Sequence, residues 1–273
     1  MDKLVSVCIP AYNSSRYIKK TIESILNQTY SNVEVVVVDD NSQDNTVEVV
    51  REIKDSRVRL ICNEKNLGMT GNWNKCIRES KGEYVKLIPG DDFIYEECIE
   101  KSVAVLEEHP DVSLVVVGCN LVDNDDKVIG KYAHWPKEGI FPGGKIAKKS
   151  VMLNNFFGNP VCALFKREDF EKTGGFDPVI PYILDFDLWL GLSALGNVAV
   201  VKEKLSAFRV RKDSNTGVLI GSRGREYTAE HVRLLDKHIK LKTYRMNRFE
   251  RRLSIMWRGL RNYIIALYIK IKS

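Results

Sequence analysis

Short apolar runs alternate with segments whose apolar positions recur at helical spacing. Residues 4–9 form a continuous apolar run closed by Pro10. Residues 16–27 then place Ile18, Ile22, Ile25 and Leu26 on one face, which predicts a helix. The alternation continues, with strands predicted at 33–38, 58–62, 84–88 and 112–118. Helices are predicted at 46–53, 70–80 and 93–108, the last stopped by His109-Pro110. Continuous apolar strands separated by helices imply a parallel sheet covered on both faces, an α/β domain. The second half is less regular. It predicts a hairpin over 122–131 around Asn124-Asp125-Asp126, a Pro/Gly loop over 136–144, and a strand over 161–166. A short helix over 168–173 ends at Gly174-Gly175, and another helix covers 185–195. Short strands at 197–201 and 205–210 precede helices over 223–241 and 248–271.

Composition narrows the class without changing this picture. Of the 273 residues 44% are hydrophobic and 29% charged, which excludes a disordered or fibrous chain and is enough for a large core. No apolar stretch approaches the roughly 18 residues of a membrane-spanning helix, and the first residues lack a signal-peptide pattern. The chain is therefore expected to remain in the cytoplasm. Six cysteines form no C-x-x-C pair and read as buried thiols. The four histidines lack zinc-ligand spacing. The net charge of +6 is unevenly spread: residues 241–273 hold nine Lys or Arg against one Glu, while the remainder is slightly negative. The body and the tail are expected to have different partners.

In an open parallel sheet, ligands sit beyond the carboxyl ends of the strands. That rule selects Pro10-Ala11-Tyr12-Asn13 after the first strand, Asp39-Asp40 after the second, and Asp91-Asp92 after the fourth. Carboxylates that hold a divalent cation attract a diphosphate, because the ion reverses the local sign. Asp91 and Asp92 offer the hard oxygens that Mg²⁺ or Mn²⁺ takes. Asp39 and Asp40 can accept hydrogen bonds from a base or ribose, and the Tyr12 ring can stack on that base. Each group also has a plainer reading. Asp39-Asp40-Asn41-Ser42 suits a turn, and Asp91 suits the cap of a helix starting near Phe93. Neither G-x-G-x-x-G nor G-x-x-x-x-G-K-[ST] occurs, so a glycine phosphate cradle has no support.

Val5-Ser6-Val7-Cys8-Ile9-Pro10-Ala11-Tyr12-Asn13 and Val38-Asp39-Asp40-Asn41-Ser42-Gln43-Asp44-Asn45-Thr46 resemble the opening of family 2 glycosyltransferases. Asn66-Leu67-Gly68, Gly82-Glu83-Tyr84, Asp91-Asp92, Gly174-Gly175-Phe176-Asp177 and Asp185-Phe186-Asp187-Leu188-Trp189 continue the match in order, over about residues 4–210. The resemblance implies a GT-A fold, a Rossmann-like, mostly parallel sheet flanked by helices. It also implies inverting transfer of a sugar from a nucleotide diphosphate sugar to an acceptor hydroxyl. By the same resemblance Pro10, Ala11, Tyr12, Asn13, Asp39, Asp40, Asn66, Gly68 and Asp91 line the nucleotide sugar. Asp91 and Asp92 hold Mn²⁺ or Mg²⁺, with Asp92 the expected direct ligand, and Asp185 is the catalytic base. The alternative for Asp185 is the N-cap of its helix. The implied role is bacterial surface-polysaccharide synthesis, with a glycan or a lipid-linked sugar as acceptor.

The chain departs from the family pattern at Pro89, where an Asp is common, at Leu184, and at Gly191 and Arg211, where an Arg and a His are common. Arg211 is a poor metal ligand but can meet phosphate as a charge. The sequence divides at about residue 215 into a catalytic domain (1–215) and a basic helical extension (216–273). Asn154-Asn155-Phe156-Phe157-Gly158-Asn159-Pro160, apolar and amide-rich, fits either a segment leading to the acceptor side or a buried loop. Trp135 is a candidate sugar platform, Trp189 reads as core, and Trp73 is left open.

In the tail, Leu253, Met256, Trp257, Leu260, Ile264, Leu267 and Ile271 share a helical face, with Arg251, Arg258 and Asn262 opposite. This amphipathic segment (248–271) fits peripheral contact with the inner face of an anionic membrane, packing on the body, or pairing between two copies of the chain. Nucleic acid is not an expected partner. Two competing functions are a sugar-1-phosphate nucleotidyltransferase and a non-catalytic nucleotide-sugar-binding module. The first looks as if it should carry a Gly-rich loop with Arg and Lys where Pro10-Ala11-Tyr12-Asn13 stands. The presence of Asp91, Asp92 and Asp185 counts against the second.

Overall fold

The structure is a computed structural model and describes residues 2–132, 135–211 and 224–272. Its frame is a mixed sheet. Strands β1 (Val5–Ala11), β2 (Val33–Asp39), β3 (Val58–Cys62) and β4 (Tyr84–Leu87) are parallel neighbours in the order β3-β2-β1-β4. Beyond β4 the sheet continues through β9 (Ala163–Lys166), which is antiparallel, then β6 (Val112–Val122) and β10 (Asn197–Arg209). The two-residue strand β5 (Phe93–Ile94) closes that edge, while β7 (Val128–Lys131) pairs with β6 and β8 (Gly139–Phe141) with β10.

Side chains alternate across the strands, so each strand feeds two cores. Val5, Val7 and Ile9 of β1 join Val33, Val35 and Val37 of β2 on one face. That face is covered by α1 (Ile18–Leu26), α2 (Thr46–Glu52) and α4 (Cys98–Glu108). Cys8, Val36 and Val38 point to the other face. There they meet α3 (Gly68–Arg78), α5 (Gly143–Met152), α6 (Arg167–Thr173) and α7 (Leu184–Leu195). The C-terminal pair α8 (Gly224–Lys240) and α9 (Arg248–Lys272) packs outside α7 and α5.

The first half follows the hydrophobic pattern closely, with one correction. Residues 93–108 are not one helix: Phe93–Ile94 pairs with Ser206 and Ala207 of β10, and the helix starts only at Cys98. Asp91 is therefore not a helix cap. In the second half the predicted loop over 136–144 contains β8 and the start of α5. The two strands expected at 197–201 and 205–210 are one strand, bent where its register to β6 slips between Val201 and Ser206. The expected hairpin forms, with Asp126 at φ +66° in its turn. Gly174 and Gly175 both adopt positive φ and end α6, and a Cβ on Gly175 would lie 2.6 Å from Asn74 Oδ1. The proposed domain boundary near residue 215 lies outside the described residues. Cys62 is exposed at the end of an edge strand, not buried as expected.

Candidate active site

β1, β2 and β4 run parallel and adjacent, so the segments after them emerge at one edge of the sheet. Ala11 lies beside Asp39 in register. The two loops are sewn together by polar bonds. The Ser42 amide and hydroxyl both donate to the buried Asp39 carboxylate, and the Asn13 amide donates to Ser42 Oγ at 2.9 Å. Asn13, at φ +49°, returns its Oδ1 to the Gln43 amide at 2.8 Å. Asp40 is also buried; its Oδ1 accepts from Asn63 Nδ2 and from the Leu67 amide, both at 2.8 Å. Asn66 Nδ2 donates to the Asp40 carbonyl at 3.0 Å, and Gly68 starts α3 at φ +73°. The turn reading and the nucleotide reading of this acidic segment are thus compatible. Its carboxylates shape the loops, and the Tyr12 ring, 50% exposed, is left facing outward.

Asp91 and Asp92 follow β4. The Asp92 side chain is sealed, 1% exposed, and its Oδ1 accepts the Arg209 amide at 2.9 Å. Among the described residues its Oδ2 has no hydrogen-bond partner. Burial, together with the charge of Asp91, pushes the Asp92 carboxyl well above the usual carboxylate range. Asp91 is the more open of the two, 20% exposed, and pairs with Arg211 at 3.0 Å. Arg209 braces the loop from behind. Its Nε donates to the Asp91 carbonyl at 3.0 Å, its Nη1 to the Asp123 carbonyl at 2.6 Å, and its Nη2 to Asp126. Its guanidinium lies 4.3 Å from the Tyr17 ring centroid. Sequence reasoning passed over Arg209, although an arginine inside the apolar run Ala207-Phe208-Arg209-Val210 was a visible signal of a buried charge with several partners.

Asp185 lies in the first turn of α7, one residue inside the helix start, and its Oδ1 accepts the Phe186 amide at 2.8 Å. It is not the N-cap. Burial raises its carboxyl to about 6, with the Phe186 amide opposing the rise. Two phenols, Tyr132 and Tyr227, are both held above their ordinary range, first by burial and then by the Asp185 charge among others. Asp187, two residues on, has a different task. It accepts from Lys237 at 2.6 Å and from His238 at 2.9 Å, clamping α7 to α8. Glu230 of α8 takes the amides of Tyr182 and Ile183 at 3.0 and 3.2 Å, fixing the chain just before Asp185.

A run of neighbours joins the two carboxylate groups. Asp92 senses Cys119 of β6, the Cys119 carbonyl accepts the Tyr132 amide at 3.0 Å, and Tyr132 senses Asp185. The Tyr132 hydroxyl donates to the Asn155 carbonyl at 3.1 Å, and the Phe157 ring lies 6.2 Å from that of Phe186, the residue after Asp185. Trp189 is fully buried, as expected of core. Trp73 packs edge-on against Phe176 at 5.3 Å, and Trp135 against Phe156 at 5.4 Å. A Cβ at Gly191 would meet the Thr173 methyl at 3.1 Å, a tight contact that Thr173 would have to relieve. A cleft of about 610 Å³ lined by Lys20, Phe93, Ile94, Tyr95 and Glu203 runs along β5 and includes none of these groups.

The sequence profile of glycosyl transferase family 2 matches residues 6–174. Chondroitin synthase from Escherichia coli is 30% identical over 217 residues, 79% of this chain but 30% of the synthase, so the chain spans under a third of that relative. The Escherichia coli enzyme named UDP-Glc:alpha-D-GlcNAc-diphosphoundecaprenol beta-1,3-glucosyltransferase WfgD is 27% identical, with 73% of this chain and 74% of that one covered. The mannosyltransferase PcManGT from Pyrobaculum calidifontis, solved with GDP-Man and Mn²⁺, has the same fold. Its TM-score is 0.63 at 20% identity, with 97% of this chain and 72% of that one covered. With the profile spanning most of its length and the same sheet beneath it, the chain belongs to glycosyl transferase family 2 and has the GT-A fold.

Proposed function

We propose that the protein transfers a sugar from a nucleotide diphosphate sugar to an acceptor hydroxyl, with inversion, in the synthesis of a polysaccharide. The observation that carries this reading is the arrangement of unlike carboxylates around β6: an acidic pair at the edge where β1, β2 and β4 end, and the desolvated Asp185 reached through Cys119 and Tyr132. The exposed Tyr12 ring is the stacking surface for the base, and the loop held by Asp39 and Asp40 borders the ribose. PcManGT is named with GDP-Man and Mn²⁺ and WfgD with a UDP-sugar, which supports a nucleotide sugar here.

The acidic pair suits a hard divalent cation. Asp91 offers the more exposed carboxylate and Asp92 an unpaired oxygen, with further oxygens to come from diphosphate and water. Asp91, ion-paired with Arg211, and Asp92, with its unpaired oxygen, are both candidate ligands. Such a cation supplies positive charge to the departing diphosphate. Arg211, now held by Asp91, is a second positive group for the same oxygens. Asp185 takes the proton of the acceptor hydroxyl as that oxygen attacks the anomeric carbon and the diphosphate leaves. A single displacement of this kind needs one base and inverts the centre.

The tail supports a membrane-proximal setting. α9 packs on the body through Ser254, which donates to the Val151 carbonyl at 2.7 Å, and through Asn262, which donates to Thr228. The side expected to be a solvated basic face therefore faces inward. The apolar stripe of Leu253, Met256, Leu260 and Ile264 faces out, Met256 being 70% exposed. Leu267 and Ile271 have side chains outside the described residues. No helix among the described residues is long and apolar enough to cross a membrane. An anionic bilayer complements both the stripe and the tail's excess of arginine and lysine.

Incubating the protein with a panel of nucleotide sugars and Mn²⁺ tests the reaction. One or more donors should release nucleoside diphosphate slowly, and Asp185→Ala should lower that release by about 10²-fold or more. Equal release by both proteins would remove Asp185 from its role.

A further inference from the structure

α9 brings two guanidinium groups to the Asp185 side of the molecule. At about 100° per residue, Ser254, Arg258 and Asn262 share the face that meets the body. Arg261 stands at the border between that face and the outward apolar stripe. The Arg258 guanidinium lies over the Tyr227 ring, 5.7 Å from its centroid. Tyr227 and Tyr132 each sense both Arg258 and Asp185, so the cation and the carboxylate lie around the same two phenols. Arg261 Nη1 donates to the Leu153 carbonyl at 3.0 Å and to Asn154 Oδ1 at 2.9 Å.

These partners are neutral. Among the described residues no carboxylate forms an ion pair with Arg258 or Arg261, whereas Arg251 on the same helix has Asp236 at 2.8 Å. Burial and the like charge of Arg261 draw the Arg258 guanidinium below its ordinary range, against the pull of Tyr227. Two neighbouring cations with no ion-paired carboxylate among the described residues, and Asp185 only beyond the phenols, can take an anion from outside. Guanidinium forks match phosphate oxygens, which accept two parallel hydrogen bonds. The donor's diphosphate is already provided for at Asp91 and Arg211. The stripe of Leu253, Met256, Trp257, Leu260 and Ile264 begins beside Arg261 and is exposed. An anion bound there therefore has room for a hydrocarbon chain attached to it.

Resting on the transferase reading above, we infer that Arg258 and Arg261 form the subsite for the phosphate or diphosphate of a lipid-linked sugar acceptor. The acceptor's reacting hydroxyl meets Asp185 and its hydrocarbon leaves along the outer stripe of α9. Asn154 and the Tyr227 hydroxyl border the sugar between them.

Calorimetric titration with dodecyl phosphate, below its micelle concentration and with EDTA present, tests the subsite without a donor or metal. Inorganic phosphate and dodecyl maltoside serve as the anion-only and chain-only probes. The parent should bind dodecyl phosphate at least about tenfold tighter than either probe. R258Q and R261Q should each weaken that binding by about tenfold, the size of one lost charge-assisted hydrogen bond. R258K, which keeps the charge but not the fork, should fall between. Circular dichroism checks that each variant is folded, and R261Q, at the rim, carries the test should R258Q not fold. Folded variants that bind dodecyl phosphate with the parent's affinity would overturn the subsite, as would equal binding of dodecyl maltoside. Such a result would leave the transferase reading intact, since donor turnover by the parent and by Asp185→Ala tests that reading separately.

Discussion

At Asp185, burial lifts the carboxyl to about 6 from an ordinary 3.8. The unfolded chain ionises this group near its ordinary value, so the folded state alone bears the cost of the buried charge. That cost is absent below about pH 4, grows between about 4 and 6, and is complete above 6. Asp185→Asn should therefore stabilise the protein by roughly 1–2 kcal/mol at neutral pH, after allowance for partial solvent access, and by almost nothing near pH 4. Urea denaturation at the two pH values checks this, and an equal change at both would contradict it. Asp185 was picked out as a candidate base from its place in an ordered series of motifs. Its surroundings were not, because Tyr132, Tyr227 and Arg258 come from distant segments that only packing brings together. The different exposures of Asp91 and Asp92 were also hidden, since adjacent residues in a loop differ in burial by backbone direction, which composition does not encode. For Arg211, whose charge Asp91 now holds, Arg211→Ala should raise the donor KM about tenfold or more in steady-state kinetics. An unchanged KM would show that it does not meet the diphosphate.

The β6–β7 hairpin and the Asp91-Asp92 loop are joined by a single buried side chain. Arg209→Leu would leave the carbonyls of Asp91 and Asp123 and the Asp126 carboxylate without their shared donor. The expected loss is about 3–5 kcal/mol in chemical denaturation, because the broken set is buried and charged. A loss under about 1 kcal/mol would mean that water replaces the guanidinium. Element by element, the alternation of apolar runs with helical periods was enough to find β1 to β4 and the helices between them. The elements that were missed share one cause. Phe93–Ile94, Gly139–Phe141 and the bend in β10 are short or irregular pieces stabilised by pairing with β10 or β6, so their own sequence carries little periodic signal.

In the whole molecule, α8 buries Leu234 and Leu235 in the core as an ordinary surface helix does, whereas α9 makes polar contacts inward and turns an apolar stripe outward. Sequence periodicity identified the amphipathic face but could not say which side the body would take. That depended on Ser254, Asn262 and Trp257 finding partners on α5, α8 and the loop at Leu153. Vesicle sedimentation follows from this orientation. The protein should pellet with vesicles of phosphatidylglycerol and phosphatidylcholine in equal parts, and far less with phosphatidylcholine alone or at high salt. The double variant Met256→Glu, Leu260→Glu should weaken binding by about tenfold or more. Retention of full binding would assign the stripe to another surface. The most direct test of the reaction is the pH dependence of donor turnover in the parent and in Asp185→Asn. The parent's kcat/KM should rise with pH through an apparent pKa of about 6 and then level, as the base ionises. Asp185→Asn should be about 10²-fold slower or more and lack that rise. A variant with the parent's rate and profile would contradict the assignment of Asp185 as the base.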